Sequence, residues 1–485
     1  MTRRIGAVVG LAGAALLACS APAAAATVTA HPHLRPAFDP ETPDYTVRCR
    51  AGTPVTFTVD VPAGTRVAVG KHRARSGRFT TTLDLAPGRG VRLRFESADG
   101  TRTYGVRCLP PDFPGWRARR EGTPQAGWYL VTPYGNSFPG YPSGPGYVAI
   151  FDSHAVPVWW MRRTPAPYGA DLLRNGHLIW TDFVAKSPFT EHFEERTLDG
   201  RVVRTWATVG WPANQHDFEL LPNGNALLVT YPPRDHVDLR QWGGPADATV
   251  FDGEVQQVDR QGRLVWSWNT KDHTALAEAG RWLPGLIRHP TAVRSDGAGI
   301  YDVAHVNSLE SVGDLLVISV RYLDAVLGID RRTGALLWKL GGTHTSRSLA
   351  IEGDPLATRD FGGQHDARLV SGTRVLTVYD NGSKRGRLPR ALSFRLDPDH
   401  GRATLTRSVR FPAAGESICC GGARRLPGGD WVVSWGNTRW ITELTPSGDP
   451  VLTLALADGL ASYRAVPIAP GRLSREALRR AMDAM

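Results

Sequence analysis

Three histidines stand at matching places in three separate apolar phrases. His216 opens "HDFELLPNGNALLVT", His305 opens "HVNSLESVGDLLVIS" and His365 opens "HDARLVSGTRVLTVYD". Arg321 ends "DLLVISVR", the strand that turns back beside the His305 phrase, so it returns to the same end as His305. A neutral imidazole can attack an electrophilic centre, and a second can protonate a leaving oxygen near neutral pH. A guanidinium stays charged and holds anionic oxygens with a fork of donors. Three imidazoles also suit zinc or another transition metal. Arg321 beside them would repel a cation, and the set better fits an anion held while a bond to it breaks. A histidine at a strand start often serves only structure, and His-Asp pairs form Asx-turns. Against that, two sister phrases carry Ala170 and Gly422 at the same place, so folding alone does not demand histidine there.

Those positions acquire geometry from the repeats. An apolar strand, a tight turn with glycine and a second apolar strand recur over 170–182, 216–230, 305–319, 365–380 and 422–436. A second hairpin follows each, among them "EVQQVDRQGRLVWSW" and "VLGIDRRTGALLWKL". "AGWYLVTP" with "GYVAIFDSHAVPVWW" makes a sixth unit, and "SYRAVPI" near the C-terminus can close it. Repeated four-stranded antiparallel units of this period predict a β-propeller, in preference to two or three separate sandwiches. The first strand of each blade then lines the central channel, and radial symmetry brings the three histidines to one rim. Insertions over roughly 232–253 and 270–304 are expected over one face. The tryptophans of the second hairpins are read as packing between blades.

Three further segments lie ahead of the repeats and one behind them. Residues 1–26 read as a signal peptide: Arg3 and Arg4, an apolar run, then "APAAAA". "LLAC" offers a lipoprotein alternative, with Cys19 as a lipid anchor. Residues 27–44 are Pro-rich and expected to be irregular. Residues 45–110 alternate over short runs ("VTFTVDV", "RFTTTLDL") and predict a small β-sandwich. Residues 111–470 form the propeller, and 471–485 ("SREALRRAMDAM") form a short C-terminal helix. The fold class is therefore all-β: a six-bladed propeller preceded by a small sandwich. The matching phrases "YTVRC" and "YGVRC" favour a Cys49–Cys108 disulfide, which suits export. The neighbours Cys419 and Cys420 are either a vicinal disulfide or a reduced pair. A net charge of +11 is spread as arginines between strands. It concentrates into no stripe and no nucleic-acid reading module, so nucleic acid is not an expected partner. "GTRVAVGKH" has the wrong spacing for a phosphate loop and no helix after it.

The phrases "HDFELLPNGN", "DVAHVNSLE", "GDLLVISVR", "IDRRTGALLWKLGG", "GGQHDAR" and "YDNG" resemble the arylsulfotransferase family, over residues 126–470. The ending "ADGTRTYGV" of the N-terminal module resembles cadherin-like β-sandwiches. The first resemblance implies a PAPS-independent, ping-pong transfer of a sulfuryl group from a phenolic sulfate to another phenol, through sulfohistidine. It makes His365 the nucleophile, His216 and His305 the acid–base and oxyanion-binding groups, and Arg321 the sulfate-binding group. It implies no nucleotide cofactor, a phenolic sulfate donor and a phenolic acceptor. A non-catalytic ligand-binding propeller at the cell surface is the rival reading. A hydrolase and a quinone-dependent dehydrogenase stand further off.

Overall fold

The computed structural model describes residues 26–137, 141–183, 189–190, 192–356 and 361–485. The expected leader, 1–26, lies outside the described residues in all but Ala26, Cys19 included. The chain divides into two compact units, residues 1–109 and 110–485.

In the first unit two sheets face each other. One is built from Thr27–His31, Val55–Val61 and Gly77–Leu83; the other from Asp44–Arg48, Gly100–Leu109, Gly90–Ser97 and Arg66–Val69. Strand alternation sends Phe57, Val59, Leu93 and Val106 inward to complete burial. Phe38, Tyr45, Phe95 and Tyr104 add a cluster of ring contacts. Cys49 and Cys108 form a disulfide across neighbouring strands of the second sheet. The expectation of irregular chain over 27–44 is corrected in part. Thr27–His31 is an edge strand paired with Val55–Val61, because Val28 and Ala30 alternate inward ahead of the prolines.

The second unit is a six-bladed propeller. The first blade joins Pro157–Arg163, Tyr141–Asp152 and Trp128–Ser137 to the C-terminal strand Leu460–Ile468. Blades two to five follow in chain order, and the sixth ends on Trp116–Arg120. The inner strands are Pro167–Leu172, Ala213–Leu220, Val306–Val312, His365–Leu369, Gly422–Arg425 and Leu460–Ile468, and each packs against the next around a closed ring. Closure is thus made at both chain ends. The C-terminal strand is innermost in blade one and Trp116–Arg120 outermost in blade six. The second contribution was not expected, since "WRARR" is a charged, exposed strand with little alternation to mark it.

Local chemistry explains the hairpins. In the third blade Asn225 N–H bonds to Asn223 Oδ1 (3.0 Å), and Gly224 turns with φ of +82°, a region glycine enters without steric cost. The tryptophans pack as expected. Trp338 lies across Gly328, where any Cβ would fall inside the indole, and is buried among residues of the fourth and fifth blades. Trp268 and Trp206 sit in the corresponding clusters earlier in the ring. The two insertions form a small sheet of Pro233–Val237, Ala248–Phe251, Gly299–Asp302 and Ala292–Val293, with a short helix Leu283–Arg288. A final helix, Arg475–Ala484, is capped by Ser474 Oγ, which accepts Ala477 N–H at 3.0 Å, and packs on the first blade.

Candidate active site

Each histidine sits where an inner strand leaves regular pairing. The register shifts between Ala213 and Phe218, between Val306 and Ser308, and between His365 and Arg368. Such bulges re-aim side chains that a flat strand would point elsewhere. His305 and Asp366 adopt left-handed backbone (φ +62° and +53°), which costs on the order of 1–3 kcal/mol per residue and must be held by neighbours.

The result is one cluster. Ring centroids lie 4.6 Å apart for His216 and His305, and 6.4 Å for His365 to either partner. His365 is 1% exposed and His216 6%. Arg321 N–H bonds to His305 O at 2.9 Å, which fixes the return of that strand to the histidine end. The Arg321 guanidinium lies against Gly363, two residues before His365, where an added Cβ would stand 3.2 Å from it. All four residues singled out in the sequence therefore converge.

Hydrogen bonds assign the tautomers. His365 Nδ1 lies 3.1 Å from Gly363 O and donates to it. Asn381 Nδ2 spends its two protons on Gly363 O (2.8 Å) and Cys420 O (3.1 Å), leaving none for the imidazole. His365 Nε2 is then the lone-pair nitrogen and accepts only a long 3.3 Å contact from Cys420 N–H. His216 Nδ1 donates to Asn214 Oδ1, which also takes the His216 N–H. His305 Nδ1 faces the buried Asp302 carboxylate at 2.6 Å. Burial, then the charges of Arg321 and His305, holds His365 well below the usual histidine range. Burial, then His305 and His365, does the same to His216. Both are neutral imidazoles at neutral pH.

Arg321 has no carboxylate partner among the described residues. Its side chain gives one hydrogen bond, Nη2 to Ile418 O at 2.6 Å. The three imidazoles each offer a nitrogen within 4.8 Å of the others, a spacing a metal ion could use. The uncompensated guanidinium in the same place favours an anion over a cation.

Beneath the imidazoles an arginine–aspartate belt crosses the channel. Asp217 pairs with Arg368 (2.7 Å) and Arg464 (2.9 Å), and Asp366 with Arg424 (2.8 Å), Arg368 (2.9 Å) and Arg464 (3.3 Å). Burial opposes ionisation of Asp366, yet Arg424, Arg464 and Arg368 together hold it well below the usual carboxylate range. The two aspartates of the His-Asp pairs therefore face the belt; Asn214 and Asp302 orient two of the imidazoles, and Asn381 holds the Gly363 carbonyl that orients the third. Sequence reasoning missed all three, although Asp302 and Asn381 stand inside the quoted "DVAHVNSLE" and "YDNG". It also missed Arg464 and Trp282. Cys419 and Cys420 are free thiols, their sulfurs 2.8 Å apart, so the vicinal disulfide offered as one alternative is not formed. Tyr168 stacks on Tyr463 (4.0 Å) beside them, and Tyr322 lies 5.0 Å from His305, so the cluster is rimmed by aromatic rings. A separate cleft of about 430 Å³, lined by Glu219, Glu310 and Arg331, lies at the turns of the third and fourth blades and takes in none of the three histidines.

A family model described as arylsulfotransferase (ASST) matches residues 196–457, more than half of the chain, and takes in His216, His305, Arg321 and His365. No curated protein matches. Among solved structures, a protein of unknown function from Bacteroides caccae is 12% identical, covers 71% of this chain and 99% of its own, and has a TM-score of 0.42. The Swd1 β-propeller domain from Myceliophteria thermophila is also 12% identical over 71% of this chain and 88% of its own, with a TM-score of 0.34. Likeness at that level carries no argument about activity.

Proposed function

Because this chain belongs to the arylsulfotransferase family, we propose that it moves a sulfuryl group from a phenolic sulfate ester to a phenol, without PAPS, through sulfated His365. The observation that carries this reading is the lone pair of a neutral, buried His365 Nε2 next to a guanidinium that no carboxylate among the described residues neutralises. The donor sulfate sits on Arg321 with its ring among the rim aromatics. His365 Nε2 displaces the weak Cys420 contact and attacks sulfur in line. The sulfur–aryloxy bond breaks as the nitrogen–sulfur bond forms, and the proton stays on Nδ1, which continues to donate to Gly363 O.

The departing phenolate needs a proton. His216 is neutral and its one N–H is committed to Asn214, so it cannot supply it. His305 can, because the Asp302 carboxylate compensates an imidazolium there. In the second half-reaction an acceptor phenol gives its proton back to His305, attacks the same sulfur, and releases His365 neutral. The chain is read as exported by residues 1–26, with the N-terminal sandwich as a cadherin-like module.

The test is peptide mapping by mass spectrometry after incubation with excess aryl sulfate and no acceptor, with acid avoided. One sulfuryl group on the peptide carrying His365, cleared by phenol and absent in His365→Ala, is the expected result. No adduct and no released phenol across several donors would leave the ligand-binding propeller as the better account. Phenol release without an adduct would point to hydrolysis.

A further inference from the structure

Buried arginines in this molecule are normally held by carboxylates. Arg390 is pinned by Asp354 and Asp380, Arg464 by Asp217 and Asp366, and Arg479 by Glu476. Arg321 is about as buried as these, 7% exposed, yet among the described residues no carboxylate pairs with its guanidinium, which rests on aromatic rings. Its Cζ stands 4.5 Å from the Trp282 ring centroid and 5.1 Å from that of Tyr322. Trp282 comes from the 270–304 insertion, immediately before the helix Leu283–Arg288, and is 4% exposed. Its indole also takes Arg281 at 4.1 Å and Lys384 at 5.0 Å. Among the described residues, only Arg281 of these three cations has a carboxylate, Asp324, at 2.7 Å through both Nε and Nη2.

The choice of an aromatic ring has a physical consequence. A carboxylate would fix Arg321 more firmly, but it would occupy the guanidinium fork, cancel its charge and repel an incoming sulfate ester. The negative face of an indole attracts the cation, takes none of its N–H donors and leaves its net charge in place. Arg281 can share the same indole because Asp324 has already neutralised it.

We propose that Trp282 is a positioning residue that holds Arg321 in the site without neutralising it, so that the insertion between the third and fourth blades is part of the anion-binding machinery. The proposal rests on the reading of Arg321 as the group that binds the transferred sulfuryl oxygens. It assigns Trp282 no contact with substrate; the indole acts through Arg321.

A double-mutant cycle tests it in the full chain. Trp282→Phe and Trp282→Leu are made with Arg321 present and in an Arg321→Gln background. Two readouts are taken: kcat/KM for 4-nitrophenyl sulfate, and affinity for inorganic sulfate by calorimetry, with Tm as the check on folding. Trp282→Leu is expected to lower both readouts about tenfold, in the range of a desolvated cation–π contact, while Trp282→Phe stays within about threefold. In the Arg321→Gln background Trp282→Leu should change neither. An equal loss in that background would show a merely structural role and overturn the proposal, as would no loss with Arg321 present. Should Trp282→Leu not fold, site-specific fluorinated tryptophans at 282 drain the ring face of negative charge at constant shape. Sulfate affinity must then fall with each added fluorine, and an unchanged affinity overturns the proposal. Should the parent protein bind sulfate and transfer nothing, the reaction assigned above fails while the sulfate cycle still decides the role of Trp282.

Discussion

His365 can attack only as a neutral imidazole, and its surroundings keep it neutral. Burial is the first cause and the Arg321 charge the second, so the folded-state pKa lies below the ordinary 6.5 and protonation sets in only at more acidic pH. The first half-reaction, followed by single-turnover phenol release, is therefore expected to stay flat as pH falls from 7.5 through 6.5 and to decline below that. Arg321→Gln removes a repelling charge, raises the His365 pKa and should move the acid decline to higher pH. A decline centred at 6.5 in the parent protein would contradict the assignment. The leaving-group proton is a second residue-scale matter. His305→Ala should cost about 10²–10⁴-fold with phenyl sulfate, whose phenolate needs a proton, and far less with 4-nitrophenyl sulfate, whose leaving group departs without one. Equal losses on both donors would remove His305 from the role of acid.

At the scale of elements, the inner strands carry two layers of chemistry on consecutive residues. The bulge sends His216 and His365 to the cluster while Asp217 and Asp366 turn to the arginine belt. Arg464, from the C-terminal strand, ties the belt to the ring closure through Asp217 (2.9 Å) and Asn307 O (2.6 Å). Replacing it by leucine leaves two buried carboxylates short of a partner. The expected destabilisation is about 3–5 kcal/mol, read from denaturant unfolding; a change under about 1 kcal/mol would mean that Arg368 and Arg424 carry the belt without it. The hairpins themselves were legible, because alternation and Asn-Gly turns are local. Trp116–Arg120 was not, since an outer strand exposed along its length has no apolar period to display.

At the scale of the whole molecule, the two units have separate cores, and the disulfide lies wholly within the first. It closes a loop of 59 residues, so reduction should lower the stability of the N-terminal unit by about 2–4 kcal/mol. All four site residues lie in the second unit, and sulfuryl transfer is expected to persist in reductant; its loss would show that the sandwich is needed for activity. The amino-acid sequence by itself determined the all-β class, the six repeats, the Cys49–Cys108 pairing and the convergence of His216, His305, His365 and Arg321. Repeats and strand alternation are short-range patterns, and propeller symmetry converts equal positions within them into nearness in space. Only the tertiary structure decided which nitrogen of His365 is free, that Asn214, Asp302 and the Gly363 carbonyl orient the imidazoles, and that Trp282 lies against Arg321. Those contacts either join segments tens of residues apart or link near neighbours through a bulge or a left-handed residue, and neither leaves a period in the sequence to read.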